Sequence, residues 1–357
     1  MDRRAISVKM LLPDAPLPPL RLSIDREALI ANWRALDRLS GKARAGAAVK
    51  ADGYGVGAKL VVESLGGAGC RDFFVAYSSE GAELSGLIDP GSISVLHGPQ
   101  SAEDAAFMAS TGLRPVINSL RQAKLWRDVG GGACDLMVDS GINRLGLAMT
   151  ELGDELVGGL EVVTLMSHLA SADEDCPLNA AQLARWQHAC AQVASRDVSL
   201  ANSAAIVLGM AYHGTLTRPG LSLYGGVPRN ELTPHIRSVV KPQAVLMQVR
   251  NVTVGESIGY NATFTARQPM RVGVVAIGYA DGYLRTWSGK GIMKSGEAHL
   301  PVVGRVSMDM TVIDLAAAPH LAEGDWVDVA YELPFASQVS GLSQYELLTS
   351  LGRRFER

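Results

Sequence analysis

The feature that most constrains this chain is an alternation of short apolar runs with longer amphipathic segments, which begins near Ala45. The intervening segments have helical periodicity, as in Ser119–Val129 and Asn179–Ser195, and Arg26–Leu39 precedes the first run as an amphipathic helix with Asp25 as its N-cap. Strands that alternate with helices eight times predict an α/β fold, a (β/α)8 barrel of the TIM type. The eight runs interpreted as strands are Ala45–Lys50, Asp72–Tyr77, Ile93–His97, Arg114–Asn118, Asp135–Asp139, Val162–His168, Val198–Asn202 and Thr215–Arg218.

The pattern changes near Val239, where apolar runs are joined by glycine-rich turns and long helical segments become few. Such runs predict a second domain built from β-strands. We therefore expect the barrel over residues 1–238 and a smaller C-terminal β domain over 239–357, and leave open an association of residues 1–22 with the β domain. The predicted strands of this domain are Pro242–Arg250, Arg271–Gly278, His299–Val303, Thr311–Leu315 and Asp325–Val329.

Charge and composition narrow the class of partner. The formal net charge is −3 and no Lys/Arg run occurs, so neither nucleic acid nor a membrane surface is an expected partner. No apolar stretch reaches the roughly twenty residues of a membrane span, and the start of the chain lacks a secretory signal core. The four cysteines lack the paired spacing of a zinc site, so no metal is expected. These features favour a cytoplasmic enzyme that acts on a small molecule.

In such a barrel, functional side chains follow the C-terminal ends of the strands. Lys50 ends the first predicted strand and precedes a turn rich in glycine and tyrosine, which makes it a candidate nucleophile. The alternative is a solvated surface lysine. The spacing of Gly53, Gly55 and Gly57 excludes a dinucleotide-binding fingerprint.

The loops after the seventh and eighth strands are the usual phosphate site of this fold. Asn202 and Ser203 follow the seventh strand, and Arg218 and Gly220 follow the eighth. Asn202 and Ser203 also fit a plain helix cap, and the two roles are compatible. His168 ends the sixth strand, where a histidine is more often a structural hydrogen-bonding group than a catalyst.

Three turns of the β domain are rich in polar and aromatic residues: Ser257–Asn261, Gly278–Tyr283 and Gly304–Asp309. Ordinary hairpin chemistry explains each of them equally well. Their spacing alone does not choose between a structural and a functional role.

Taken together, these segments resemble the alanine racemase family. The matching motifs run in the family's order over nearly the whole chain: AAVKADGYGVGA (47–58), DSGINRLGL (139–147), SHLASAD (167–173), ANSAA (201–205), RPGLSLYG (218–225), SIGYNATFTA (257–266), AIGYADGY (276–283), GRVSMDM (304–310) and YELLTSLGRR (345–354). Any one of them is weak evidence, whereas nine in order across both domains are strong.

The resemblance implies a homodimer with shared active sites that uses pyridoxal 5'-phosphate (PLP) to interconvert L- and D-alanine, supplying D-alanine for peptidoglycan. Lys50 would hold PLP and serve one face of the substrate Cα, and Tyr260 from the other subunit would serve the opposite face. Arg144 would favour the phenolate of that tyrosine, His168 would brace the ring system, and Arg218 would face the pyridine nitrogen.

The remaining roles are also implied by the resemblance. The phosphate would be bound by Tyr54, Ser203, Gly220 and Tyr345, with Asn202 beside them. The substrate would be bound by Arg144, Tyr279 and Met308, and Met308 would offer its N–H to the substrate carboxylate. The residues of the substrate-access corridor would be Tyr279, Asp173, Arg285 and Arg305.

One residue departs from the family pattern. Many members have a lysine seven residues before the arginine matched by Arg144, and its carbamylated form positions that arginine. Here the residue is Met137, which has no amine, so we predict no carbamate. A bound anion such as chloride, or other neighbours of Arg144, would then replace it.

Three alternatives remain at this point. A racemase of broader specificity is open, because the motifs do not define the width of the pocket. A decarboxylase of the same fold should have an acidic partner for the pyridine nitrogen, which Arg218 argues against. A non-catalytic PLP carrier would lack the β domain and Tyr345.

Overall fold

The structure is a computed structural model that describes residues 17–356. Its strands are Leu20–Ile24 (β1), Arg44–Ala45 (β2), Ala47–Ala48 (β3), Phe73–Val75 (β4), Ile93–Val95 (β5), Arg114–Ile117 (β6), Cys134–Met137 (β7), Val162–Met166 (β8), Asp197–Ser199 (β9), Leu216–Thr217 (β10), Val240–Val252 (β11), Ser257–Ile258 (β12), Phe264–Thr265 (β13), Met270–Val275 (β14), Ile292–Ser295 (β15), Ala298–Pro301 (β16), Thr311–Asp314 (β17) and Trp326–Val329 (β18). Its helices are Arg26–Leu39 (α1), Lys50–Tyr54 (α2), Ala58–Ala68 (α3), Ser78–Leu84 (α4), Ala102–Thr111 (α5), Leu120–Asp128 (α6), Glu155–Gly158 (α7), Pro177–Gln192 (α8), Leu333–Ser340 (α9) and Gln344–Thr349 (α10).

The first half of the chain forms the predicted barrel. Strands β3 to β9 make one parallel sheet in sequence order, and β10 pairs with β2. The first barrel strand is divided at Gly46, where an added Cβ would lie 2.7 Å from the carbonyl oxygen of Asp72. Hydrogen bonds from Gly46 N to Thr217 O and from Thr215 N to Val198 O join the eighth strand to both of its neighbours. The eight predicted strands therefore close into a ring, and the predicted fold class is confirmed.

The barrel strands are buried on both faces because helices cover the outside and side chains fill the inside. Every residue of β4, β5, β6 and β7 is buried. The α1 helix begins as predicted, with the Asp25 carboxylate accepting a hydrogen bond from Ala28 N at 2.9 Å. Its apolar face, which includes Leu29, Trp33 and Leu36, packs into the core.

The second half of the chain forms mainly antiparallel β structure. One sheet has the order β16-β15-β18-β11-β14-β17, and β1 pairs with the start of β11, with Leu20 opposite Ala244 and Ile24 opposite Val240. The strand before the barrel thus belongs to the sheet of the β domain. Residues 1–16, the rest of the segment left open above, lie outside the described part of the chain.

The predicted strand list for this domain was incomplete. It omitted the short pair β12 and β13. It also omitted β15, which forms a hairpin with β16 through Gly296, at a φ of +56°. Its sequence, Ile-Met-Lys-Ser, is too short and too polar at its end to stand out as a strand. Between residues 17 and 356 no helix combines the length and apolarity that crossing a membrane requires.

Candidate active site

A cavity of about 690 Å³ opens where the barrel strands end. Because the C-terminal ends of all eight strands meet at this face, residues far apart in sequence converge on it. The nine residues expected from sequence to contact the cofactor all line the cavity: Lys50, Tyr54, Arg144, His168, Asn202, Ser203, Arg218, Gly220 and Tyr345.

Lys50 begins a turn with an unusual backbone. The next four residues, Ala51 to Tyr54, have φ between 52° and 62°, so they form a left-handed turn. Each non-glycine residue in this conformation costs about 1–2 kcal/mol. Asp52 helps to hold the turn by accepting a hydrogen bond from Ala58 N at 2.8 Å. Local strain concentrated beside a lysine is typical of a functional site.

The charge state of Lys50 is shifted by its surroundings. Burial lowers the pKa of its amine, the positive charges of Arg144 and Arg218 lower it further, and the carboxylate of Glu80 opposes them. A lowered pKa increases the fraction of neutral amine near neutral pH, which is the nucleophilic form.

A cradle of N–H and hydroxyl groups lines part of the cavity. Ser203 Oγ accepts hydrogen bonds from Gly220 N at 3.0 Å and Ser222 N at 3.2 Å. An added Cβ at Gly220 would lie 2.4 Å from Tyr54 Oη, so only glycine fits beside that hydroxyl. The Tyr54 ring stacks on Tyr224 at 4.9 Å, and burial raises the pKa of Tyr54, which keeps its hydroxyl a donor.

Arg218 and His168 also line the cavity. Arg218 is buried, and its guanidinium donates to Ser199 O, Ser199 Oγ and Ser167 O, all neutral oxygens. Burial lowers the pKa of Arg218 to about 10, so it stays charged at neutral pH. Burial, together with the positive charges of Arg218, Arg144 and Lys50, lowers the pKa of His168 to about 3, so its imidazole is neutral.

Asn202 has the capping role that its sequence position suggested. Its Oδ1 accepts a hydrogen bond from Ala205 N at 3.0 Å, at the start of the 3-10 turn Ala205–Leu208. The residue also lines the cavity. The cap and the cavity position coexist, as the sequence allowed.

The loop that carries Arg144 is shaped by Asp139. The Oδ1 atom of Asp139 accepts hydrogen bonds from the N–H groups of Gly141, Ile142 and Asn143 at 2.8, 3.0 and 3.2 Å. Met137 lines the cavity on the strand that leads into this loop, with a thioether in place of an amine. Arg144 is therefore held at the cavity through the backbone of its loop.

A second group of predicted residues lies together on the β domain and does not line the barrel cavity of the same chain. Tyr279 N donates to Ser307 O at 3.0 Å, and the Arg285 guanidinium lies 5.2 Å from the centre of the Tyr279 ring. Tyr260 and Met308 are 64% and 52% exposed. The Met308 N–H has no acceptor among residues 17–356.

The other two predicted corridor residues, Arg305 and Asp173, are located through the residues beside them. Arg305 lies beside the Tyr260 turn, because a Cβ added at Gly259 would be 3.4 Å from Arg305 N. The negative charge of Asp173 contributes, after burial, to the raised pKa of Tyr345, so these two side chains are near one another.

Sequence reasoning missed several residues of the site. Phe74, Leu96 and His97 also line the cavity, and each lies on or directly after a barrel strand, which was the available signal. Glu80 on α4 was missed because its role is a hydrogen bond across 29 residues, to Ala51 N at 2.8 Å. No local pattern reports such a contact.

The C-terminal segment connects the turns of the β domain. Arg354 donates to Asp281 and to Asp309, each at 2.7 Å, and Asp281 is almost fully buried. These two carboxylates belong to the turns that carry Tyr279 and Met308. The arginine thus fixes one turn to the other.

Comparison with known proteins agrees with this arrangement. The alanine racemase N-terminal domain model matches residues 24–228, and the C-terminal domain model matches residues 239–357. Alanine racemase from Rhizobium meliloti (strain 1021) is 39% identical over 94% of this chain and 96% of its own length. The biosynthetic alanine racemase of Agrobacterium fabrum is 38% identical over 95% of this chain and 93% of its own length.

Solved structures give the same result. A crystal structure of alanine racemase from Bartonella henselae with covalently bound pyridoxal phosphate has a TM-score of 0.88 at 33% identity, covering 96% of this chain and 99% of that one. Biosynthetic alanine racemase from Pseudomonas aeruginosa has a TM-score of 0.86 at 32% identity, with the same coverage. With both domain models matched and near-full-length relatives above 30% identity, this chain belongs to the alanine racemase family.

Proposed function

We propose that this protein interconverts L- and D-alanine with PLP bound in the barrel cavity. One observation carries the proposal: a lysine on a left-handed turn shares a single cavity with a hydroxyl-and-amide cradle and a buried arginine. The family membership given above supports alanine as the substrate.

The residues of the cavity fit PLP. The volume of about 690 Å³ admits a cofactor of this size. The cradle of Ser203, Gly220 and Tyr54 suits a phosphate, since glycine lets the backbone approach and hydroxyl and N–H groups donate. Lys50 would hold the cofactor, which when bound supplies the electron sink that acidifies the substrate Cα–H.

Racemisation requires a proton to leave one face of Cα and another to arrive at the opposite face. Lys50, with its lowered pKa, suits one of these steps. Tyr260 is proposed for the other, and it lies outside the barrel cavity of its own chain. We therefore propose a homodimer in which Tyr260 from a second subunit completes each site.

Arg218 is proposed to control which reaction occurs. Its guanidinium is held by neutral oxygens and remains charged, so it disfavours a second positive charge on a pyridine nitrogen facing it. The bound cofactor would then stabilise negative charge at the substrate Cα less strongly, which would leave less opportunity for transamination or decarboxylation. Arg218→Glu should therefore add side products, detected by mass spectrometry, and a variant with none would contradict this role.

Residues of the β domain, together with Asp173 of the barrel half, are proposed to select a small zwitterion. The free Met308 N–H would bind the substrate carboxylate. Asp173, Tyr279, Arg285 and Arg305 would line the path of access. We propose that the D-alanine produced is supplied to peptidoglycan synthesis.

The organisation of the molecule is also part of the proposal. We propose a division between a barrel ending at residue 238 and a β domain beginning at residue 239, with β1 on the β-domain sheet. A cytoplasmic location suits four free cysteines, of which Cys70 and Cys134 are buried.

The test is incubation of the purified protein with PLP and D-alanine, followed by chiral chromatography. We expect L-alanine to accumulate towards an equal mixture, and Lys50→Ala to abolish it. Bound-cofactor absorbance without L-alanine would instead favour a different amino-acid substrate or a non-catalytic PLP carrier.

The shared site is tested by mixing two inactive variants, Lys50→Ala and Tyr260→Phe. In random mixed dimers about half the molecules are hybrids with one intact site, so about a quarter of wild-type activity should return. No recovery after subunit exchange would contradict a site built from two chains.

A further inference from the structure

Glu80 contacts backbone groups from two different elements. One carboxylate oxygen, Oε1, accepts a hydrogen bond from Ala51 N at 2.8 Å. The other, Oε2, accepts from Ala76 N at 2.6 Å and from Tyr77 N at 3.3 Å. A single side chain therefore joins the turn that follows Lys50 to the end of the neighbouring barrel strand β4.

Helix capping explains only part of this arrangement. Glu80 is the third residue of α4, and a glutamate there commonly binds the N–H groups that precede the helix. The Ala76 and Tyr77 contacts are of this kind. The Ala51 contact is not, because it reaches a strained residue with φ of 53° on a separate segment.

The charge of Glu80 also acts in the site. Around Lys50, Arg144 and Arg218 lower the pKa of its amine and Glu80 raises it. The titratable groups His97 and His168, from the ends of β5 and β8, face the same amine. Burial lowers the pKa of both, and the charge of Lys50 lowers it further. Glu80 is thus the carboxylate that offsets two guanidinium charges.

We propose that Glu80 is a positioning residue for Lys50, which fixes the left-handed turn through Ala51 N–H and supplies the negative charge that balances Arg144 and Arg218. The inference deepens the proposed function, because it takes Lys50 as the reactive amine. A glutamine at this position keeps the side-chain length but has one acceptor oxygen and no charge. It can serve only one of the two segments.

Two measurements separate this role from a helix cap. In the first, full-length protein freed of cofactor is pulse-labelled with acetic anhydride across a pH series, and acetylation of Lys50 is quantified by peptide mass spectrometry. The labelling midpoint of a variant is the pH at which acetylation of Lys50 reaches half of its maximum. In the second measurement, the rate of PLP reloading is followed by absorbance at a pH above the labelling midpoint of every variant. The variants are Glu80→Gln, Glu80→Asp and the matched control Glu83→Gln, an exposed glutamate on the same helix.

For Glu80→Gln we expect the labelling midpoint to move to lower pH, since the charge that raises the pKa of Lys50 is gone. Reloading should be about tenfold slower, because a hydrogen bond to a charged acceptor is lost at the turn. Glu80→Asp keeps the charge but is shorter, so its midpoint should match wild type while reloading stays slow. Glu83→Gln should match wild type in both measurements.

The inference is overturned if Glu80→Gln matches Glu83→Gln in either measurement. Lower thermal stability with an unmoved midpoint would show that Glu80 is a helix cap alone. The midpoint comparison needs no turnover. A wild type that labels as expected but does not racemise alanine would therefore overturn the proposed function and leave this inference standing.

Discussion

Replacing Gly220 with alanine tests the crowded cradle directly. The new Cβ would lie 2.4 Å from Tyr54 Oη, 3.0 Å from Tyr54 Cζ and 3.3 Å from Ala48 Cβ. Ordinary contact distances are near 3.5 Å, so the hydroxyl must retreat by about 1 Å. The ring has little room, because it stacks on Tyr224, whose own hydroxyl donates to Ala48 O at 2.8 Å.

Two consequences follow from that displacement. Overpacking of this kind costs about 1–3 kcal/mol of folding free energy. A shift of about 1 Å would also break the proposed hydrogen bond from Tyr54 to the cofactor phosphate, and a bond to a charged group is worth about 1.5–3 kcal/mol. We therefore expect PLP to bind about 10–100-fold more weakly to Gly220→Ala.

The assay is retention of PLP during dialysis, followed by absorbance, with the melting temperature measured in parallel. Gly86→Ala is the control, because a Cβ there meets nothing within 4 Å. The double variant Gly220→Ala/Tyr54→Phe removes the clashing hydroxyl, so it should lose less affinity than the sum of the single changes. Wild-type retention by Gly220→Ala, or strict additivity in the double variant, would refute the crowding argument.

Three further predictions concern pH, the C-terminal segment and Met137. The pKa of His168 is about 3 in the folded protein and about 6.5 when unfolded, so the unfolded state binds the extra proton first and stability falls as the pH drops from 6.5 towards 3. In His168→Gln, the free energy of unfolding, measured by urea denaturation at several pH values, should depend less on pH in this range. The same change at an exposed histidine, His235→Gln, should leave the wild-type pH dependence in place. Arg354→Ala removes both ion pairs that join two β-domain turns, so the KM for alanine should rise several-fold in steady-state kinetics. The control Arg353→Ala, at the exposed neighbouring residue, should have the KM of wild type. Equal changes in KM for the two variants would contradict the role of Arg354 in joining the two turns. Met137 has no amine to carbamylate, so bicarbonate should leave activity unchanged, and a response to bicarbonate in wild type would contradict the assignment.

Periodicity alone was sufficient for the barrel. Apolar runs bounded by turns mark buried strands, and the fold places whatever follows each run at one face. Lys50, His168 and Arg218 were found in this way, because each ends or follows a run. The α1 helix and its Asp25 cap were equally readable, since both depend on contacts within one turn.

Short polar strands were less readable. β15 is only four residues long, and its pairing with β16 and β18 is set by neighbours rather than by its own pattern. The pairing of β1 is also set by its neighbour rather than by its own pattern, because β1 pairs with β11, about 220 residues away in the sequence.

The sequence by itself determined the order of strands, the residue types at their ends and the motifs of the family. Only the tertiary structure decided which of those residues share a cavity and which, such as Tyr260 and Met308, lie on another surface of the same chain. It also revealed Glu80 on Ala51 N and Arg354 between two turns. The physical reason is range: periodicity and caps report interactions within a few residues, whereas a hydrogen bond across 29 or 73 positions exists only after the chain has packed.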